Sequence, residues 1–451
     1  MTRTIHTLCG LITALLLTAS CISSEETTTI LQYNDAAIVS FSLGNLKQHN
    51  DDGTTTNIAG STYKFHIDQS NRRIYNTDSL PYGTDKSRVT CTATTLNNGV
   101  IVIKNTDDSD VTLYSSTDSI DFTTEREFIV YSSSMARNSV YTVEINVHQE
   151  DVDKFSWTQK NSSSEISALA NINVVLAGGW PFVFGENNGQ TVGYATSDGN
   201  NWQPIDFGQV LQADAWQNAV ARNDTLFILN GNSLLSSADG QQWQTVNSAS
   251  NPSRLIGAST AELYGQDAAG ALSVSRDGGL SWLSEQYDEQ DAEYLGQLPT
   301  ENIALATTKA AMADSTDYVL MVGSRSAISY PNDTIAMVWR KITDYSRYGQ
   351  RGQWVYMERT DNNAKALPLL GNTQLLSYAD GIMAFGRTGN GSLSAMYQTR
   401  DGGITWRKIT TYSLPTGLDG AKPFAAASKG ADIWLVVGGD IWHGRLPRLS
   451  E

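Results

Sequence analysis

The sequence contains Ser275-Arg276-Asp277-Gly278-Gly279-Leu280-Ser281-Trp282, and a nearly identical segment recurs at Thr399-Arg400-Asp401-Gly402-Gly403-Ile404-Thr405-Trp406. Two copies that are one residue shorter are Thr196-Ser197-Asp198-Gly199-Asn200-Asn201-Trp202 and Ser237-Ala238-Asp239-Gly240-Gln241-Gln242-Trp243. Each copy lies between apolar runs, which is the pattern of a β-hairpin. The Asp can accept hydrogen bonds from backbone N–H groups, the Gly permits a positive φ, and the Trp begins the returning strand. These four segments, which we call the Asp turns, therefore predict a repeated β-sheet architecture.

The common pattern, a hydroxyl residue, any residue, Asp, Gly and then a Trp, resembles the Asp-box, also called the bacterial neuraminidase repeat, of β-propeller proteins. In those families the motif lies on the face opposite the active site. The resemblance therefore implies a structural role for Asp198, Trp202, Asp239, Trp243, Asp277, Trp282, Asp401 and Trp406.

The spacing of the Trp residues predicts the number of blades. Successive steps from Trp202 to Trp243 to Trp282 are about 40 residues, which is the length of one four-stranded blade. Two further units fit between Trp282 and Trp406, and in the first of them Trp354 takes the Trp position. After Trp406 the chain provides only three more strands, so we expect Phe155–Gln159, with Trp157, to supply the missing fourth strand. This gives six blades, with seven as the alternative.

The sequence before the propeller is rich in Thr, Ser and Asp and reads as strands only. About seven strands in about 120 residues indicate an immunoglobulin-like sandwich. We therefore predict an all-β chain with a sandwich at 31–148, a polar linker at 149–153 and a propeller at 154–451.

The first 20 residues resemble a lipoprotein signal peptide, with Arg3, a short apolar run at Leu8–Leu17 and Cys21 as the lipidated residue. An ordinary cleaved signal is the alternative. Residues 21–30 would then be a lipidated tether, and Ser and Glu after Cys21 resemble a surface-export signal of Bacteroidetes-type lipoproteins. We expect an outer-membrane lipoprotein on the outer leaflet that faces outward and is attached through its lipid alone. A periplasmic orientation is the alternative.

A second resemblance covers nearly the whole chain. The segments Tyr63-Lys64-Phe65-His66-Ile67-Asp68-Gln69 and Ile74-Tyr75-Asn76-Thr77-Asp78-Ser79-Leu80-Pro81-Tyr82-Gly83-Thr84-Asp85 resemble those of an uncharacterised Bacteroidetes-type lipoprotein family. That family also pairs an Ig-like sandwich with a propeller. The resemblance implies an architecture and a cellular location but no reaction.

Composition argues against several functions. The chain has 31 Lys and Arg against 47 Asp and Glu and a net charge of −16, which disfavours nucleic acid as a partner. Its five His do not pair at metal-ligand spacing, and it has no phosphate-binding glycine loop or nucleophile elbow. We therefore expect no metal site and no cofactor.

Ligands of propellers usually bind opposite the Asp turns, where the links between blades lie. That face should carry the candidate ligand residues Trp216, Arg254, Tyr294, Arg325, Tyr330 and Arg387, together with Tyr287, Tyr412, Asn187, Asn188 and Gln266. Aromatic rings and amides suit a glycan, and a protein ligand is equally compatible. The sequence favours a non-catalytic binding protein.

A glycoside hydrolase of sialidase-like architecture is the alternative function. A sialidase clamps the substrate carboxylate with three Arg residues, and Arg254, Arg325 and Arg387 are candidates for them. However, Ala177-Gly178-Gly179-Trp180-Pro181 occupies the region in which sialidases place one such Arg. Convergence of the three guanidinium groups would favour the enzyme, and their separation would favour binding.

Overall fold

The structure, a computed structural model, describes residues 32–105, 110–250, 252–310, 313–358 and 365–450. The predicted signal peptide, Cys21 and the tether lie outside these residues. The chain divides into two units, one ending at Asp151 and the other beginning at Val152. None of the helices in the described ranges is long and apolar enough to cross a bilayer.

The first unit consists of small sheets. Its strands are β1 Ile38–Leu43, β2 Asn45–His49, β3 Thr55–Ala59, β4 Phe65–Asp68, β5 Arg73–Asn76, β6 Cys91–Thr95, β7 Val100–Lys104, β8 Val111–Leu113, β9 Arg126–Tyr131 and β10 Asn138–Glu144. A six-stranded sheet has the order β4-β5-β10-β9-β7-β8, and separate pairs are formed by β1 with β6 and by β2 with β3. All neighbours are antiparallel except β5 and β10, which are parallel.

One hydrophobic core joins the layers of this unit. Ile38 and Phe41 of β1 and Cys91 of β6 pack with Phe128 of β9 and Tyr141 of β10, and all five are buried. In β9 and β10 every second side chain points into this core, which is the alternation expected for a sheet with one solvent-exposed face.

The second unit contains six four-stranded antiparallel sheets, the blades. Blade 1 has β12 Ile172–Ala177, β13 Trp180–Asn187, β14 Gln190–Ala195 and β15 Gln203–Pro204; blade 2 has β16 Ala219–Arg222, β17 Thr225–Asn230, β18 Ser233–Ser237 and β19 Gln244–Asn247; blade 3 has β20 Arg254–Ala258, β21 Leu263–Gln266, β22 Leu272–Ser275 and β23 Leu283–Ser284. Blade 4 has β24 Glu301–Ala310, β25 Ala313–Ser324, β26 Met337–Asp344 and β27 Val355–Tyr356; blade 5 has β28 Gly371–Tyr378, β29 Gly381–Arg387, β30 Tyr397–Thr399 and β31 Arg407–Lys408; blade 6 has β32 Phe424–Lys429, β33 Asp432–Val437, β34 Asp440–Arg445 and β11 Ser156–Gln159.

Helical segments are short. The α-helices are α1 Ser164–Ser167 and α2 Ala292–Leu295, and the 3₁₀ segments are Gly60–Thr62, Leu96–Asn98, Ala215–Asn218 and Pro447–Ser450.

The first strand of each blade faces the axis, and each of these inner strands contacts the inner strand of the next blade. The contacts run from β12 through β16, β20, β24 and β28 to β32, and β32 contacts β12 again. The ring is therefore closed. The predicted fold class is confirmed, with six blades rather than seven.

The ring closes where the sequence predicted. β11 pairs antiparallel with β34, so that Trp157 lies opposite Gly444, and the Trp157 indole donates to Ser413 O at 2.8 Å. Blade 6 thus combines strands from both ends of the propeller. Pairing with β11 covers the outer edge of β34.

The Asp turns have the hydrogen bonds that their sequence suggests. Asp277 Oδ1 accepts from Ser281 N–H at 2.9 Å, and Ser275 Oγ accepts from Gly279 N–H at 2.7 Å. The shorter turn of blade 1 places two consecutive N–H groups, those of Asn200 and Asn201, at 2.8 Å from Asp198 Oδ1. Each carboxylate therefore closes its own hairpin, between the third and fourth strands of its blade.

Blade 4 has no Asp turn and borders instead on a buried charge cluster. Lys341 of β26 has a fully buried side chain, and its Nζ lies 3.1 Å from Glu262 Oε2 and 2.7 Å from Glu285 Oε1, both in blade 3. Glu262 also accepts hydrogen bonds from Tyr264 Oη at 2.6 Å and Arg276 Nε at 2.9 Å. Burial by itself would raise the pKa of Glu262. These partners, of which Lys341 has the largest effect, nevertheless keep that pKa below its usual value.

Candidate functional site

A central cavity of about 930 Å³ follows the axis of the ring. Its wall is formed by the six inner strands and by residues next to them. The volume lies within the range of roughly 300–1,000 Å³ that small-molecule sites occupy. The cavity is therefore the first candidate for a ligand site.

The cavity has two distinct ends. Because successive strands alternate in direction, all inner strands begin at one face, the link face, and the Asp turns lie at the other, the Asp-turn face. At the Asp-turn face Lys429 Nζ donates to Asp224, which joins blade 6 to blade 2. Asp224 Oδ1 also accepts from Gly178 N–H of blade 1 at 2.8 Å. Lys429 has the largest effect in lowering the pKa of Asp224, and Gly178 N–H has the next largest. The Asp224 carboxylate therefore links three blades.

At the link face Arg254 lines the cavity and is held by neutral partners. Its Nε donates to Gln266 Oε1 at 2.9 Å and its Nη2 donates to Thr300 O at 3.0 Å. Burial lowers the pKa of Arg254, but a guanidinium remains charged at neutral pH.

Arg387 also lines the cavity at the link face. Its Nε donates to Gly420 O at 2.8 Å, its Nη2 donates to Lys422 O at 3.0 Å, and its guanidinium lies 5.4 Å from the ring centre of Phe424. As with Arg254, backbone oxygens or an amide fix the side chain without neutralising it.

Trp216 is the third predicted residue that lines the cavity. It is half-buried in the core between blades 1 and 2, and its backbone N–H donates to Thr191 Oγ1 at 3.0 Å. The structure thus brings Trp216, Arg254 and Arg387 to one cavity.

The other three candidates lie elsewhere on the link face. Arg325 forms a bidentate pair with Asp333 at 2.9 and 2.8 Å and stacks 3.6 Å from the Tyr330 ring centre, inside the β25–β26 loop. Tyr294 packs against Trp339, with ring centres 5.1 Å apart. None of Tyr294, Arg325 and Tyr330 lines the central cavity.

Burial corrects three of the predicted ligand contacts, and two others lie away from the cavity. Gln266 is only 1% exposed, and its amide nitrogen donates to Gly270 O and Pro299 O. Tyr287 and Tyr412 belong to the cores between blades. Asn187 and Asn188 lie at the β13–β14 turn, away from the cavity wall. Gln266 therefore positions Arg254 and is not itself accessible to a ligand.

The three Arg residues that a sialidase would require do not share one site. Arg254 and Arg387 line the cavity, whereas Arg325 is paired with Asp333 in a separate loop. The arrangement lacks the three-guanidinium clamp of that alternative.

The sequence analysis missed a set of asparagines that join neighbouring blades near the link face. Asn173 Nδ2 donates to Ala219 O at 2.9 Å, Asn218 Oδ1 accepts from Leu255 N–H at 2.9 Å, Asn302 Oδ1 accepts from Asn372 N–H at 2.8 Å and Asn372 Nδ2 donates to Phe424 O at 2.8 Å. Asn218, Asn302 and Asn372 stand at or next to the start of inner strands. Alignment of the blade starts would have revealed them.

Comparisons with known proteins identify both units. Residues 151–450 match the DUF6242 beta propeller domain, and residues 41–145 match the DUF6242 N-terminal domain, a domain of unknown function. None of the curated proteins matches the sequence.

Solved structures with the same general fold are distant. A catalytically inactive virginiamycin B lyase from Staphylococcus aureus has a TM-score of 0.36 and 10% identity, over 65% of this chain and 100% of that chain. YCF48 from Cyanidioschyzon merolae has a TM-score of 0.34 and 14% identity, over 64% and 99% of the two chains. A putative glycoside hydrolase from Parabacteroides distasonis has a TM-score of 0.31 and 11% identity, over 62% and 88%. Similarity this low carries no information about the ligand.

Proposed function

The chain belongs to the DUF6242 family, and we propose that its propeller binds a saccharide at the link-face opening of the central cavity without hydrolysing it. The observation that carries this proposal is the cavity of about 930 Å³ with polar groups and Trp216 in its wall. A site of this kind combines an apolar surface with a few polar groups that fix the ligand's orientation.

The polar groups near the opening suit sugar hydroxyls. Asn171 and Gln217 line the cavity and are exposed, and within the described residues their side-chain amides have no hydrogen-bond partner. An amide offers two donors and an acceptor, which is the complement of a hydroxyl. The indole of Trp216 next to Gln217 adds a face on which a sugar ring can stack.

The distribution of carboxylates supports binding rather than glycoside hydrolysis. Most glycosidases use a pair of carboxylic acids on either side of the scissile bond. Within the described part of the chain, Asp224 is the single acidic residue in the cavity wall, and it is engaged by Lys429 and Gly178. A second carboxylate that could act with it is therefore missing from this wall.

We also propose that the protein is an outer-membrane lipoprotein that displays the propeller outside the cell. The support is the apolar run that precedes Cys21 in the sequence. Metabolic labelling with radioactive palmitate should mark the protein and should fail to mark a Cys21→Ser variant. Labelling of that variant would contradict the proposed anchor, and protease treatment of intact cells would test the orientation.

A glycan array tests the proposed binding. The soluble form that starts after Glu26 should bind a subset of glycans, and Trp216→Ala should weaken that binding about ten-fold, or about 1.4 kcal/mol, through the lost ring contact. The matched control is Trp180→Ala, because Trp180 is partly exposed at the Asp-turn face.

The same preparation should be incubated with the bound glycans to detect released sugar. Release would contradict the non-catalytic proposal. Failure to bind any glycan would contradict the saccharide proposal and would favour a protein ligand.

A further inference from the structure

The charge of the cavity wall is opposite to that of the protein. The chain carries a net charge of −16, yet the charged residues of the wall are three cations, Arg254, Arg387 and Lys429, and one acid, Asp224. Lys429 and Asp224 pair with each other at the Asp-turn face. The positive charge that remains belongs to the two guanidinium groups at the link face.

Neither guanidinium has an acidic partner within the described part of the chain. Among the described residues no carboxylate lies within 4 Å of Arg254 or Arg387, although 47 acidic residues are present in the chain. By contrast, Arg325 on the same face has its own carboxylate, Asp333, at 2.8 Å. Because desolvating an unpaired charge is unfavourable, partly buried arginines normally have an acidic partner.

Both side chains are nevertheless fixed in position. In each side chain, Nε and Nη2 donate hydrogen bonds to neutral oxygens. The acceptors for Arg254 are oxygens of Gln266 and Thr300, and the acceptors for Arg387 are oxygens of Gly420 and Lys422. In each case Nη1 has no hydrogen-bond partner among the described residues. A guanidinium that is already oriented loses little conformational entropy when it binds an anion.

We propose that the saccharide bound at this cavity is acidic, and that Arg254 and Arg387 bind its carboxylate or sulfate groups. This inference rests on the proposed function and specifies the ligand class for the same site. The two arginines lie at the same face, on blades 3 and 5, so they suit a ligand with more than one acidic group, such as an acidic oligosaccharide. Charge-assisted hydrogen bonds from Nη1 would supply the affinity.

Calorimetric titration with three polymers separates the possible sources of the acidic group. The probes are polygalacturonate, which carries only carboxylates, dextran sulfate, which carries only sulfates, and neutral dextran. We expect at least one of the two acidic polymers to bind and dextran to bind at least ten-fold more weakly. Which acidic polymer binds identifies the group.

Variants then locate the binding. Arg254→Gln and Arg387→Gln should each weaken binding of the acidic polymer about ten- to a hundred-fold, the effect of losing a charge-assisted hydrogen bond. Arg407→Gln is the matched control, because Arg407 is exposed on the outer strand of blade 5. If either Gln variant fails to fold, Arg254→Lys and Arg387→Lys replace them in the test. These variants keep the positive charge and should retain part of the affinity for the acidic polymer.

The outcomes distinguish the two proposals. Equal binding by the Gln variants and the Arg407→Gln control would overturn the assignment of the arginines. Binding of dextran or of neutral glycans on the array, without binding of either acidic polymer, would overturn the acidic ligand and leave saccharide binding intact. No binding to any saccharide would overturn both.

Discussion

At the scale of single residues, one glycine in each Asp turn has two physical roles. Gly240 has a φ of +73°, which an L-residue with a Cβ adopts only at a cost. A Cβ at Gly240 would also lie 2.1 Å from Cε1 of Phe182 in blade 1. Gly279 meets Leu234 of blade 2 in the same way, at 2.0 Å. The turn glycines therefore both close the hairpin and allow each blade to approach the preceding one.

Substitution of Gly240 by Ala should reveal both roles. We expect Gly240→Ala to lower the free energy of unfolding by about 2–5 kcal/mol, from the positive φ and the contact with Phe182. Gly189→Ala is the matched control, because Gly189 has a φ of +78° and open space around its Cα; it should cost only about 1–2 kcal/mol. Equal losses in urea denaturation would show that contact with the neighbouring blade is unimportant.

The carboxylates of the Asp turns should make stability depend on pH. The hydroxyl and the N–H of Ser281 lower the pKa of Asp277 to about 2. Because this value lies below that of an unfolded Asp, about 3.9, the stabilisation is complete above pH 4 and is lost as the pH falls toward 2.

Asp277→Asn should remove that contribution, and should lower the free energy of unfolding at pH 7 by about 1 kcal/mol through the weakened hydrogen bonds. The difference between variant and parent should shrink between pH 4 and pH 2 in urea denaturation at each pH. A difference that stays constant over this interval would contradict a charge-based role.

At the scale of the blade, each pair of neighbouring blades meets in a hydrophobic cluster, and the boundary between blades 3 and 4 also contains charged residues. Six hydrophobic clusters lie between the six pairs of neighbouring blades, and the Trp of each blade packs in the cluster shared with the preceding blade. The Trp residues are Trp202, Trp243, Trp282, Trp354, Trp406 and, in the closing strand, Trp157. Between blades 3 and 4 the cluster of Lys341, Glu262 and Glu285 is added to this apolar contact.

Removal of the Lys341 ammonium should destabilise that boundary strongly. Lys341→Met removes the ammonium that lies beside the buried carboxylates of Glu262 and Glu285, and leaves Glu262 with Arg276. We therefore expect a loss of about 3–5 kcal/mol in the free energy of unfolding. Lys309→Met, at an exposed position of β24 in the same blade, should change it by less than about 0.5 kcal/mol. If urea denaturation gave the same value for both variants, the cluster would have no net stabilising role.

At the scale of the whole molecule, closure of the ring depends on one short strand. Lys160 N–H donates to Ile441 O at 2.9 Å, and the alternation of antiparallel pairs directs the N–H of Thr158 toward β34 as well. Loss of β11 would expose the edge of β34 and open the core around Trp157.

Proline at position 158 should test this closure. Thr158→Pro removes the donor, so we expect a loss of about 1–3 kcal/mol from the unpaired carbonyl, and aggregation through the exposed edge. Thr158→Ala keeps the N–H at an exposed site and should change stability by less than about 0.5 kcal/mol. Thermal unfolding with light scattering measures both; equal stability and solubility of the two variants would argue against closure by β11.

The candidate site was predictable only in part. The placement of Trp216, Arg254 and Arg387 near one cavity follows from the order of strands and links, which a repeat reveals. The order of strands and links does not predict the burial of Gln266, Tyr287 and Tyr412. A side chain in a loop can point outward or into the space between two blades, and contacts with the neighbouring blade decide between these orientations. The partner of Arg325, Asp333, is close in sequence, but a loop conformation was needed to bring them together.

The sequence by itself determined the all-β class, the six blades and the strand that closes the ring, because these depend on local turn chemistry and on a period of about 40 residues. Only the tertiary structure decided which cations have an acidic partner and which do not. Among the described residues, Arg254 and Arg387 have no carboxylate within 4 Å, whereas Lys341 lies between two, because residues from different blades meet in the ring. Charge pairing depends on distance in space, and the chain order of the residues does not contain that distance.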